Sequence, residues 1–158
     1  MVSPAEWGPN TWELLHGIAE RVGNQSLLPL IRDEKNELRI VLRGFGALLP
    51  CQKCQAHYRD WVKRNPPEQI LDKGGEYLQD ALRDWVFRLH EDVNNRREVI
   101  SGITIDTLRE RYLSVNLRAN ALVLKGLFQK GVELRILKPS EWGDAWKHLD
   151  MLLRFMGV

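Results

Sequence analysis

The sequence predicts an all-α protein: a four-helix bundle, a short fifth helix and additional C-terminal helices. Two observations carry that reading. Apolar residues recur at spacings of three and four almost throughout, the period of a helix with one buried face. Proline and glycine fall mostly between these periodic segments, where they break the chain into helices joined by short loops. At 158 residues the chain fits one folded unit with a real core.

A first helix is expected over about 10–22, with Trp12, Leu15, Ala19 and Val22 on one face and Pro9 at its start. Gly23 and Asn24 supply a stop. A second is expected over 33–49, burying Leu38, Val41, Leu42, Phe45 and Leu48, with Gly44 and Gly46 as weak points. Pro50 turns the chain. A third helix then runs from near Cys51 to Asn65, because Pro66 and Pro67 cannot continue it. Gly74 and Gly75 precede a fourth over 76–95, striped by Leu78, Leu82, Trp85, Leu89 and Val93. A short fifth helix is expected over 107–113, and two more over 115–130 and 140–156. Residues 132–137 read equally as a short strand or a loop. Pro139 to Gly143 echoes Pro4 to Gly8, an echo too short to mark a repeat.

Composition narrows the function classes. The apolar fraction of 44% and charged fraction of 28% are those of an ordinary globular protein. A net charge of +2 gives no case for nucleic acid or an anionic membrane. No apolar run is long enough to cross a bilayer. Met1 to Trp7 lacks the basic and apolar regions of a secretory leader, so an intracellular protein is expected. The two cysteines stand in CxxC spacing, which suggests chemistry or metal binding rather than a disulfide-stapled scaffold.

That pair, Cys51-Gln52-Lys53-Cys54, opens the third helix. Unpaired backbone N–H groups and the helix dipole favour negative charge there, so a thiolate is stabilised. Along the same helix Cys54, His57, Tyr58 and Trp61 form one stripe. Trp12 and His16 share a face of the first helix, and His90 and Asn94 share a face of the fourth, with Arg97 nearby. Singly, the tryptophans and histidines read as core residues, and Asn94 and Asn95 as helix C-caps. Together they would supply planar walls and a few hydrogen-bonding groups, as a slot for a flat ring system requires. A second reading is a zinc-stabilised helical interaction module using Cys51, Cys54, His57 and one more histidine. A thioredoxin-like oxidoreductase would need a βαβ setting that this segment does not show.

Four segments resemble a known family. Trp7-Gly8-Pro9 through Trp12 to His16 resembles the WGPxxWxxLH opening of the Erv/Alr sulfhydryl oxidases. Pro50 to Arg59 resembles their PCxxCxxHFR segment, Trp85 to Asn94 their WxxxxHNxVN, and Leu108 to Tyr112 their VxxRW. The segments lie in the family's order across residues 5–113. Glu91 replaces the usual asparagine, Leu49 a tyrosine and Tyr112 a tryptophan. The shuttle cysteines of many cellular members are absent, as in the versions carried by large cytoplasmic DNA viruses.

The resemblance implies a bundle that holds FAD and pairs as a homodimer. Cys51 and Cys54 would be catalytic, Cys54 lying beside the flavin and Cys51 exchanging with substrate. Trp12, His16, His57, Tyr58, His90, Asn94, Arg96 and Tyr112 would attend the cofactor, with no metal. Electrons would pass from a protein dithiol, a thioredoxin-like shuttle being one such substrate, to FAD and on to O2, giving hydrogen peroxide. For a viral protein the compartment would be host cytoplasm or virion. Residues 1–113 would form the oxidase domain, and 114–158, which carry none of the resemblance, a helical extension of unknown role.

Overall fold

The computed structural model describes residues 2–158; Met1, the first residue of the stretch read for a leader, lies outside them. Seven α-helices and no strand occur among the described residues, so the all-α expectation holds. They are α1 (Pro4–Ala19), α2 (Leu28–Gly44), α3 (Gln52–Arg64), α4 (Gly75–Arg96), α5 (Leu108–Tyr112), α6 (Leu117–Glu133) and α7 (Pro139–Phe155).

Both early helices start sooner than their apolar periodicity suggests. Pro4 takes the first position of α1, and Glu6 accepts a hydrogen bond from the Ser3 N–H at 2.6 Å, so Pro9 lies inside the helix. Pro29 takes the second position of α2, which starts at Leu28. At the far end of α2, Phe45–Leu48 tightens into a 3₁₀ turn, but the expected stripe of Leu38, Val41, Leu42, Phe45 and Leu48 is buried throughout. Residues 132–137 form no strand. They end α6 in a Schellman turn: Ile136 N–H donates to Gly131 O at 2.9 Å and Arg135 N–H to Val132 O at 3.0 Å. Arg135 holds the left-handed φ of 60° that this turn demands. The echo between Pro4–Gly8 and Pro139–Gly143 is shared helix-start chemistry. Each segment opens a helix with proline and buries a tryptophan, Trp7 or Trp142.

The helices share one hydrophobic core. α1 packs on α4 and, on another side, on α6, while α2 packs along α7. Leu117, Leu124, Phe128, Leu149, Leu152 and Leu153 from the last two helices are fully buried beside Leu14, Ile18, Leu38 and Leu82. Close approach of α6 depends on a bare backbone at Gly17, where a Cβ would lie 2.5 Å from Leu117 Cδ2. Polar contacts tie the same surfaces. Arg118 joins α6 to Asp150 at 2.7 Å, and His148 joins α7 to Glu37 of α2 at 2.7 Å. The buried Glu20 is satisfied by Arg83 of α4 at 2.6 Å, as a buried carboxylate must be.

Candidate redox site

Cys51 is the N-cap of α3, and its extended backbone turns the chain into the helix. Its sulfur is bonded to Cys54 in a disulfide, with the Cα atoms 5.2 Å apart. The Cys54 N–H points at Cys51 Sγ at 3.2 Å, so one of the free amides of the helix start faces the sulfur that would carry charge after reduction. Gln55 holds the preceding loop by donating to Leu49 O at 2.8 Å.

The disulfide is asymmetric in its surroundings. Cys54 borders a cavity of about 360 Å³, whose walls include Trp7, Trp12, His57, Tyr58 and Leu89; Cys51 does not border it. Gly8 lies on this wall, and a Cβ there would meet no atom within 4 Å. A second cavity of about 540 Å³ shares Gly8, Trp12 and Arg97 with the first and adds His90, Asn94, Arg111 and Tyr112. One cavity is thus largely apolar and planar-walled beside a sulfur, and the adjoining one carries cations and amide groups.

Between them the rings pack closely. Trp12 stacks on His90 with centroids 3.9 Å apart, and His16 stacks on Tyr112 at 4.5 Å. His16 Nε2 and His90 Nδ1 share a hydrogen bond at 2.9 Å, which needs one ring to donate and the other to accept. Both rings are held neutral. Burial, then the charges of His90 and Arg111, lowers His16 to about 3. Burial also lowers His90 to about 4, with Arg111 adding to it and Glu91 opposing it. Burial pushes the Tyr58 hydroxyl up, and that hydroxyl donates to Leu42 O.

His57 Nε2 meets Asp92 Oδ2 at 2.6 Å, and Arg96 stands 3.4 Å from the same carboxylate. Burial would raise Asp92, but the hydrogen bond from His57 and the charges of His57, Arg96 and Arg64 outweigh it, and the carboxyl lies below its usual range.

Trp12, His90, Asn94, Tyr112, Cys54, His57 and Tyr58 therefore converge on two joined cavities. His16 is buried behind them and borders neither, and Arg96 also borders neither, whereas Arg97 borders both. Trp61 lies in the core, edge-on to Trp85 at 6.3 Å. Asp92 escaped the sequence reading because it lies two residues beyond His90, on another side of α4. Arg111 occupies the arginine of the VxxRW resemblance but was assigned no part in the site. The zinc reading finds no support in the ligand geometry. Among the described residues no three His, Cys, Asp or Glu side chains converge, and His57 turns to Asp92 instead.

The site's donor set suits a flavin nucleotide. Trp7 Nε1, in the wall of the first cavity, is buried without a partner, as is His16 Nδ1 behind the ring cluster. The arginines of the second cavity match an anionic linker.

Comparison with known proteins gives the same picture. Three relatives have 27–30% identity. A FAD-linked sulfhydryl oxidase of Oryza sativa subsp. japonica is 30% identical over 89 residues, 56% of this chain and 40% of the relative. A probable FAD-linked sulfhydryl oxidase of Acanthamoeba polyphaga mimivirus is 27% identical over 96 residues, 59% of each. A FAD-linked sulfhydryl oxidase of African swine fever virus is 28% identical over 97 residues, 60% of this chain and 72% of the relative. The chain thus spans less than two thirds of the first two relatives. No solved structure matches significantly. The model of the Erv1/Alr family matches residues 9–112, which contain the disulfide and most of both cavity walls, and the chain belongs to that family.

Proposed function

We propose that this protein is an FAD-linked sulfhydryl oxidase, which makes disulfides in protein dithiols and passes the electrons to O2. The observation that carries the reading is the placement of one disulfide sulfur, Cys54, in the wall of an aromatic cavity while Cys51 stays outside it. FAD, when bound, would supply the two-electron chemistry that links the cysteine pair to O2.

The chain's own part is thiol–disulfide exchange. A substrate thiolate attacks Cys51 Sγ; a substrate–Cys51 disulfide forms and the Cys51–Cys54 bond breaks. Cys54 leaves as a thiolate. A second substrate thiolate then attacks the substrate sulfur and releases Cys51. The substrate dithiol is oxidised by two electrons, and the cysteine pair is reduced by two. The helix start, with its aligned amides, stabilises the thiolate on this pair.

Trp12, Tyr58 and the bare backbone at Gly8 would hold the flat ring beside Cys54. His90, Asn94, Arg97, Arg111 and Tyr112 would hold the nucleotide portion. His16 would act from behind, fixing His90, and Asp92 would fix His57; Arg96 would act through Asp92. The family resemblance implies pairing as a homodimer; host cytoplasm or virion would be the compartment of a viral protein, and an intracellular one otherwise. No helix among the described residues is long and apolar enough to cross a membrane.

An absorbance spectrum of the purified protein, under air and after dithiothreitol, tests this reading. Oxidised-flavin absorbance that bleaches with dithiothreitol and returns with oxygen is expected. A colourless protein that neither binds added FAD nor consumes oxygen with dithiothreitol would overturn it.

A further inference from the structure

α3 carries a second stripe that the redox reading leaves unused. Gln52, Gln55, Ala56 and Arg59 recur at helical spacing on the side of α3 opposite Cys54, His57 and Tyr58. They line a third cavity of about 270 Å³, closed on its other side by Ile136, Leu137, Lys138 and Glu141. That volume is smaller than the roughly 300–1,000 Å³ of small-molecule sites, so it suits side chains rather than a cofactor. Cys51 lines neither this cavity nor the cofactor-side one, but Gln52, the next residue, lines this one.

The far wall is built by the C-terminal extension. The Schellman turn at Arg135 ends α6 and lays Ile136–Lys138 against α3. Its position is fixed next to the redox loop itself, since Gly131 packs so closely on Pro50 that a Cβ would lie 2.6 Å from Pro50 Cβ. This wall lies outside the residues 9–112 that the family model matches.

Charge gives the groove a sign. Glu141 is paired with Lys138 at 3.6 Å. Arg59 is exposed, its stem passes Gly46, and it forms no ion pair among the described residues. Lys53, between the cysteines, is also exposed and forms no ion pair among the described residues. The groove wall therefore offers, about two turns along α3 from Cys51, a free guanidinium with the fork geometry that recognises a carboxylate.

We propose that this groove selects the polypeptide substrate: it receives a segment whose reactive cysteine is flanked by an acidic residue, whose carboxylate pairs with Arg59. The proposal rests on the oxidase reading and names its substrate class. The extension serves as the second jaw of the substrate site.

The test uses the full-length FAD-bound protein and two reduced peptides. They differ only in whether glutamate or lysine flanks a pair of cysteines. Oxygen consumption gives kcat/KM for each, and dithiothreitol is assayed beside them. The wild type is expected to prefer the glutamate peptide by about three- to tenfold at low salt, and the preference should shrink as salt screens it. Arg59→Glu should invert the ratio, and Arg59→Lys should retain most of it. The ratio is internal to each protein, so a general loss of activity does not move it. Equal rates on both peptides, or a preference that survives Arg59→Glu, overturns the proposal while dithiothreitol oxidation leaves the oxidase reading standing. Failure on all three substrates takes down both.

Discussion

The segment that the family model matches and the extension that follows it are built to the same packing standard, yet only one of them carries redox chemistry. Residues 9–112 hold the disulfide, the stacked rings and most of both cofactor-sized cavities. α6 and α7 hold no part of the disulfide or of those cavity walls, but Leu117, Leu124, Phe128, Leu149, Leu152 and Leu153 are as deeply buried as any residue of α1 or α4. A segment without recognisable chemistry can therefore still be needed for the chemistry, because it finishes the core on which the site is mounted.

The strongest way to break that comparison is to cut the chain after Ser114. The cut uncovers the faces of α1 and α2 on which α6 and α7 lie. Burying each large apolar side chain of the extension contributes about 1.5–3 kcal/mol. For the six named above the sum is about 9–18 kcal/mol, as large as the ~5–15 kcal/mol that separates a typical folded domain from its unfolded state. The truncated chain is expected to be insoluble or unfolded by circular dichroism, and colourless. A soluble, yellow, active fragment would show that the first 114 residues close their own core.

Next in size is the loss of function without loss of fold. Cys51→Ser and Cys54→Ser should each reduce dithiol-dependent oxygen consumption to background and keep FAD bound, since the cavity walls are otherwise untouched. The two variants should differ in colour. Only Cys51→Ser leaves a thiolate in the cavity wall, so only it should add long-wavelength absorbance. Near-normal turnover in either variant would remove the assigned route.

The ring cluster makes a smaller, pH-dependent contribution. His16 and His90 are depressed to about 3 and about 4 in the folded protein, against 6.5 unfolded. Between those values the unfolded chain binds more protons, so stability rises with pH. The contribution of these groups is fully present above 6.5 and is lost as pH falls through their folded values. Melting temperature should be flat near neutrality and drop as pH falls below 6.5. His16→Gln should flatten the upper part of that drop, where carboxylates are still ionised. An unchanged profile would mean that the rings are solvated in solution.

Much of this was legible in the sequence, for identifiable reasons. Helical periodicity located the buried stripe of α2 residue by residue, and the CxxC placed Cys51 at a helix start. Helix starts were misjudged where proline and caps, rather than apolar spacing, set them, as at Pro4 and Pro29. Pairings between helices were not legible. His57 with Asp92, Gly131 with Pro50, and the groove between α3 and the α6–α7 turn all depend on tertiary approach that no local pattern encodes. Within α6, Leu122 follows the buried Ala121 but is 64% exposed, because that helix buries only one narrow face.

The finest test of how the two regions are joined compares two glycines of α6. Gly126 is exposed, and a Cβ there would meet nothing within 4 Å. Gly126→Ala should therefore stabilise the protein by about 0.5–1 kcal/mol through helix propensity alone. Gly131 lies one and a half turns further on and gains the same propensity from alanine. Its new methyl, however, would stand 2.6 Å from Pro50 Cβ and 3.0 Å from Leu137 Cδ1. Leu137 can turn aside; Pro50, a rigid ring adjoining Cys51, must move with its backbone. Overpacking of this kind costs about 1–3 kcal/mol, which outweighs the propensity gain. Urea denaturation should thus give the two substitutions opposite signs. Because the displaced atom belongs to the redox loop, only Gly131→Ala should also change the rate at which dithiothreitol reduces the Cys51–Cys54 disulfide. Two stabilised proteins with identical reduction rates would mean that the extension does not bear on the redox loop, and the groove beside Cys51 would lose its outer wall.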